Sequence, residues 1–154
     1  MALDYSTKHG VATSIGHSPV SALIDPNAGS KNSIAEALTN IIWAPIENGL
    51  KGVSLSANWM WPCKNEGEDA RLYKAVESVS KFAIELGINI PTGKDSLSMN
   101  QKYENLEVKS PGTVIVSATA HCNNISNIIE PVFKLDKGSI SVSYTHLTLP
   151  TTRL

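Results

Sequence analysis

Glu36 and Asn40 stand four residues apart in a stretch where Ile34, Leu38, Ile41 and Ile42 are spaced as one buried helical stripe. Residues four apart sit one turn above each other, so a carboxylate and an amide carbonyl share one helix face. Two such hard oxygens suit Mg2+, which takes one or two carboxylates alongside phosphate oxygens and water. A solvated Glu–Asn pair on an ordinary amphipathic helix has the same spacing and, on spacing alone, is the commoner arrangement. The second candidate is Gly93-Lys94-Asp95-Ser96. It offers open backbone, a cation, a carboxylate and a hydroxyl, a set able to contact phosphate or organise a neighbouring site. The glycine and spacing of a Walker loop are absent, and a plain turn is the alternative. His17 could contact a phosphate or simply close a strand end. Asp69 reads as a helix-start carboxylate. His9 and His121 have no metal-ligand spacing. Neither Cys63 nor Cys122 has a neighbouring histidine that would make it a nucleophile.

The company these residues keep is more specific than either motif. Gly10-Val11-Ala12-Thr13-Ser14-Ile15-Gly16, Glu36-Ala37-Leu38-Thr39-Asn40, Leu55-Ser56-Ala57-Asn58-Trp59-Met60, Gly67-Glu68-Asp69-Ala70 and Gly93-Lys94-Asp95-Ser96-Leu97-Ser98-Met99 follow one another in that order. Together they resemble one piece of the phosphoribosylformylglycinamidine synthase family, the large purine-pathway amidotransferases. The piece is the second aminoimidazole-ribonucleotide-synthetase-like (AIR-synthetase-like) N-terminal domain, and the resemblance covers roughly residues 10–134.

The resemblance implies a parent ligase that converts formylglycinamide ribonucleotide to the amidine with ATP, Mg2+ and glutamine-derived ammonia. ATP phosphorylates the amide oxygen, and ammonia displaces the phosphate. The family carries an Mg2+-bound nucleotide, ATP or a structural ADP, in the half of the core that this piece matches. Glu36 and Asn40 fall on metal ligands there. Two further acidic ligands belong to segments just upstream and in the following domain. Lys94, Asp95 and Ser96 become candidate cofactor-binding residues. No catalytic residue is assigned to this piece, and the glutamine-cleaving step belongs to a glutaminase domain elsewhere in the parent. The implied partners are those remaining domains and a purine-pathway nucleotide substrate. The domain type pairs with a partner domain through its sheet, so part of its apolar surface is expected to be interface. A non-catalytic nucleotide-binding or assembly module, and a related ATP-dependent enzyme of the same superfamily, are the alternatives. The string Ser56-Ala57-Asn58-Trp59-Met60 favours the ligase over the related enzyme.

Composition agrees with one globular unit. The chain has 154 residues, 42% hydrophobic and 18% charged, with a net charge of −1. That is enough to bury a core and gives no basic surface for nucleic acid. No apolar run approaches a membrane span and no signal pattern opens the chain, so a cytoplasmic protein is expected. Two cysteines are too few for a disulfide framework and read as reduced, buried side chains.

The elements follow from local pattern. Residues 11–15 alternate weakly as a strand. Asp25-Pro26-Asn27 is a turn that starts a helix over 28–43, stopped by Pro45. Residues 52–58 form a strand with Val53, Leu55 and Ala57 on one face, followed by a bulky loop at 59–62. A second helix spans 70–86, with Leu72, Val76, Val79, Phe82, Ala83 and Leu86 inward and Gly87 as its C-terminal cap. A short strand over 88–90 ends at Pro91, Gly93 to Ser96 form a loop, 102–110 a polar hairpin, and 113–120 a central β-branched strand. Trp43, Trp59 and Trp61 are expected to pack. The fold class is α+β: a mixed sheet with helices on one face, an AIR-synthetase N-terminal-like domain, expected to lack its first strand upstream of an internal Met1.

Residues 1–137 are thus read as a partial AIR-synthetase-like N-terminal domain and 138–141 as the start of a linker to a missing domain. Residues 142–154 are read as a non-native tail, because Val142-Ser143-Tyr144-Thr145-His146-Leu147-Thr148-Leu149-Pro150 resembles a translated sequencing-library adapter. A final strand with alternating Thr and Leu is the alternative. Deleting 141–154 is expected to leave the melting temperature unchanged within error. A clear drop would make the tail a packed strand.

Overall fold

Asp25 starts the helix on which the architecture depends. Its carboxylate accepts from the Asn27 backbone N–H at 2.8 Å, and Pro26 occupies the first helical position, where a missing N–H costs nothing. In the computed structural model, which describes residues 1–130, this helix is α2 (Pro26–Ile41). It buries Ser33, Ile34, Ala37, Leu38 and Ile41 and exposes the opposite side. The remaining elements are β1 (Gly10–His17), α1 (Pro19–Ile24), β2 (Val53–Met60), α3 (Glu68–Leu86), β3 (Asn89–Ser96), β4 (Asn100–Lys102), β5 (Glu107–Lys109) and β6 (Thr113–Cys122). Single 3-10 turns lie at Gly49–Gly52 and Ile125–Asn127.

The cap also has a pH signature. The Asn27 backbone hydrogen bond, ahead of the Asn27 side chain, holds the Asp25 carboxyl below its ordinary value of 3.8. A depressed carboxyl contributes stability that is present above its unfolded value and lost as pH falls through the folded one. Asp25→Ala should therefore melt below wild type at neutral pH, with the gap closing as pH falls from 3.8 through that lower value. Asp25→Asn keeps an acceptor for the cap and should melt between the two. A gap that does not change with pH would refute the cap assignment.

The main sheet has the order β1-β6-β2-β3. β6 is antiparallel to both neighbours, and β2 and β3 run parallel, so the sheet is mixed. Registers Ser14↔Ala118 and Leu55↔Ala118 put even residues of β1 and β6 and odd residues of β2 on one face. That face carries Leu55, Val114, Val116, Ala118 and Ala120 and packs against Ile34, Leu38 and Ile41 of α2, with Val79 of α3 in the same core. The helices lie on this one face, as the α+β expectation required. The other face displays small polar residues, Thr13, Ser54, Ser56, Ser117 and Thr119, around Ile15 and Ile115.

Several boundaries differ from the sequence expectation. β2 runs through Trp59 and Met60, which were expected in a loop, because both pair with β6 at Val114 and Thr113. The apolar stretch 19–24 is helix α1, held to α3 by Arg71 Nη2 donating to the Ala22 carbonyl at 2.7 Å. α2 ends at Ile41, short of Trp43, which is 50% exposed. Val76 is 42% exposed, because Ala75, Ser78, Val79 and Ala83 form the buried stripe of α3. Gly87, with φ of 68°, caps α3 onto the Ala83 and Ile84 carbonyls as its type requires. β4 and β5 form the expected hairpin. The tail at 142–154 and the linker at 138–141 lie outside the described residues.

Candidate functional site

α2 lies close enough to β1 for side chains to bond backbone directly. A Cβ on Gly16 would run into the Ser33 carbonyl and the Ala37 amide, so the approach requires glycine. Ser14 Oγ donates to the Ala37 carbonyl at 2.6 Å, and the Ser18 N–H donates to Ser33 Oγ at 3.2 Å. Glu36 and Asn40 continue this seam on its exposed side. The His17 N–H donates to Glu36 Oε2 at 2.6 Å, and Asn40 Nδ2 donates to the Ile15 carbonyl at 3.0 Å. Residues 33, 36, 37 and 40, all on one helix face, thus stitch α2 to the end of β1.

Among the described residues, this geometry leaves one oxygen on each side chain uncommitted, Glu36 Oε1 and Asn40 Oδ1. The two residues are exposed and one turn apart. A carboxylate oxygen and an amide oxygen held this way fit part of an Mg2+ shell, with water and phosphate oxygens supplying the rest. Among the described residues there is no group of three or more His, Cys, Asp or Glu side chains able to hold a metal by themselves. The pair therefore amounts to a partial shell.

Gly93-Lys94-Asp95-Ser96 is strand, not loop. β3 pairs with β2 through Ala57↔Gly93 to Met60↔Ser96, and a register shift between Ser54 and Ser56 absorbs Pro91 without ending the strand. An edge position makes this possible, since Pro91 lacks the N–H that an inner strand would need. The strand end is pinned by Trp61, whose N–H donates to the Ser96 carbonyl at 2.9 Å, and by Cys63, whose N–H donates to the Leu97 carbonyl at 3.0 Å. Alternation sends Lys94 and Ser96 to the face without helices, where Lys94 Nζ donates to Ser96 Oγ at 2.6 Å. Asp95 points to the other face. An open groove of about 470 Å3 runs along this edge, lined by Trp59, Ile90, Pro91, Thr92, Lys94 and Asp95 among others.

The two candidate groups lie on opposite edges of the sheet. β6 and β2 separate β1 from β3, which places them about 14 Å apart at about 4.8 Å per strand spacing. Glu36 and Asn40 are brought together, and so are Lys94 and Ser96, but the pairs do not share a pocket. Burial, then the carboxylates of Asp69, Glu68 and Asp95, push the Cys63 thiol up, which keeps it protonated and unreactive at neutral pH. Sequence reasoning missed the bonds from α2 to the β1 edge. Their only trace was Gly16 inside a strand together with the small pair Ser33 and Ala37 on a helix, a combination that marks close backbone approach.

Comparison with known proteins follows the same lines. The family described as FGAR-AT PurM_N-like domain matches residues 1–121. The chain belongs to that family. A Caenorhabditis elegans protein named probable phosphoribosylformylglycinamidine synthase is 44% identical over 139 residues, covering 90% of this chain and 10% of the relative. The human phosphoribosylformylglycinamidine synthase is 36% identical over 148 residues, covering 96% of this chain and 11% of its own length. The chain thus spans about a tenth of the curated relatives it matches. Among solved structures, Thermotoga maritima PurL complexed with FGAR superposes with a TM-score of 0.67 at 14% identity, over 83% of this chain and 20% of that one. At that identity the likeness is one of fold, and it bears out the FGAR-AT PurM_N-like assignment of a mixed sheet with helices on one face. No helix among the described residues is long and apolar enough to cross a membrane.

Proposed function

We propose that this chain is a segment of the ATP-dependent ligase that converts formylglycinamide ribonucleotide to formylglycinamidine ribonucleotide with glutamine-derived ammonia. The observation that carries this reading is the family match over residues 1–121, joined to 44% identity with a relative named for that synthase. In the reading, residues 1–137 are the AIR-synthetase-like N-terminal part, 138–141 begin a linker, and 142–154 are foreign. The remaining domains, a glutaminase among them, are the partners, and the compartment is the cytoplasm.

Glu36 and Asn40 would contribute two oxygens to Mg2+ on a bound adenine nucleotide, ATP or a structural ADP. The cation neutralises phosphate charge when bound. The free Glu36 Oε1 and Asn40 Oδ1 support this role. Structures of T. maritima PurL with ADP exist and share the fold at a TM-score of 0.64. Lys94, Asp95 and Ser96 would act at a separate place, the β3 edge, where the Lys94 ammonium and Ser96 hydroxyl can meet phosphate oxygens. The sheet face that the helices leave open would receive a partner domain.

The test is expression of the whole reading frame that contains this chain, followed by an assay of ATP- and glutamine-dependent amidine formation. Its absence from a folded full-length product would reject the ligase reading. The 154-residue chain alone is expected to give no turnover. Turnover above background, in a preparation free of host enzyme, would refute the view that it holds no complete active site. The partial metal shell also favours a second reading, an assembly module that binds nucleotide without reacting it. A glutaminase domain in the extended frame would decide against it.

A further inference from the structure

Exposed Glu and Asn side chains normally move among several rotamers and lose that freedom on binding a cation. Here both are already tethered, and to the same place. The Ile15 carbonyl can only accept a hydrogen bond, so Asn40 must present Nδ2 to it at 3.0 Å, which turns Oδ1 away. Glu36 gives Oε2 to the His17 N–H at 2.6 Å and keeps Oε1 free. The two anchor groups lie two residues apart on the outer edge of β1, an edge strand. We propose that the backbone edge of β1 at Ile15 and His17 is the positioning element of the cation site, aiming one oxygen of each side chain before the cation arrives. The proposal rests on the Mg2+ reading above and adds to it groups that never touch the metal. Such outer partners fix ligand orientation and govern affinity in metal sites generally.

The same bonds cover polar groups on an exposed sheet edge, as Met1 does further along, where its N–H groups and carbonyl bond the Val11 backbone at 2.9 Å. Edge covering alone is therefore the rival explanation. Two substitutions separate charge from positioning. Asn40→Asp keeps an oxygen at the ligand position and adds negative charge, but it has no N–H for the Ile15 carbonyl. Glu36→Gln keeps a carbonyl oxygen for the His17 N–H and turns an NH2 toward the cation, so it removes both the charge and one oxygen ligand while leaving the β1 tether in place. If charge alone governs affinity, Asn40→Asp binds the cation more tightly than wild type. If positioning governs it, Asn40→Asp binds more weakly despite the added charge.

The probe is Mn2+ alone, added at millimolar concentration to the product of the whole reading frame that contains this chain, isotope-labelled over this segment, because the partial shell is completed only there. The readouts are paramagnetic broadening of the His17 and Asn40 amide signals, hydrogen exchange at the His17 amide, and melting temperature as the folding control. The expected result is selective broadening in wild type and affinity about tenfold lower in Asn40→Asp. Glu36→Gln should lose affinity while its His17 exchange stays slow. Equal or tighter binding by Asn40→Asp would overturn the positioning role and leave the cation reading intact. No selective broadening in wild type would sink the cation reading, and the positioning role with it.

Discussion

Trp61→Ala is expected to cost about 3–5 kcal/mol, the range for removing a buried aromatic side chain. Trp61 is 0% exposed. Its ring packs on Gly112, where any Cβ would strike it, and its indole Nε1 donates to Glu68 Oε2 at 2.9 Å. The loss approaches the whole stability of an ordinary domain, about 5–15 kcal/mol. The variant should therefore show a sharply lower urea midpoint or accumulate unfolded. Trp61→Phe keeps most of the ring and loses the indole donor, so its midpoint should fall between the two. Glu68 keeps its ion pair with Arg71 at 3.3 Å in either variant. The consequence for the candidate site is local as well. The Trp61 backbone N–H, which alanine keeps, holds the Ser96 carbonyl, but the ring that fixes this backbone against Gly112 and Glu68 is lost, so hydrogen exchange along Lys94, Asp95 and Ser96 should rise in Trp61→Ala before global unfolding. An unfolding free energy within about 1 kcal/mol of wild type would mean that the ring is not part of the core.

The second large effect is on nucleotide retention in a full-length parent carrying this domain. Glu36→Gln should lose bound Mg2+-nucleotide more completely than Asn40→Leu, because a carboxylate offsets cation charge and an amide does not. Neither change should move stability by more than about 0.5 kcal/mol, since both side chains are exposed and water can replace the lost partner. Glu36→Gln also keeps an oxygen for the His17 N–H, so its defect cannot come from a loosened β1. Full retention by Glu36→Gln, with stability measured in parallel, would remove the metal assignment and leave the pair as a covering for the sheet edge.

The sequence by itself determined what short-range periodicity can encode. The inward stripe Ile34, Leu38 and Ile41 follows from helical spacing, and so does the sharing of one face by Glu36 and Asn40, whereas Ile42, which the same spacing counted as buried, lies past the end of α2 and is 52% exposed. The β-branched, apolar run 113–120 marked β6 as a central strand, and Gly87 marked the end of α3. Ordered strings spread along the chain carried the family. Tertiary structure decided where these pieces meet. Gly93 to Ser96 has turn-like composition, yet parallel pairing to β2 and the Trp61 anchor draw it into a strand, because shared hydrogen bonds outweigh weak local preference. Three tryptophans look alike in the sequence, but only Trp61 is sealed, while Trp43 stays half exposed. Insertion of β6 between β1 and β2 sets the two candidate groups on opposite sheet edges. It also leaves β1 with free N–H and C=O groups for Glu36 and Asn40 to bind. That insertion joins strands about a hundred residues apart, a distance over which only whole-chain packing chooses partners.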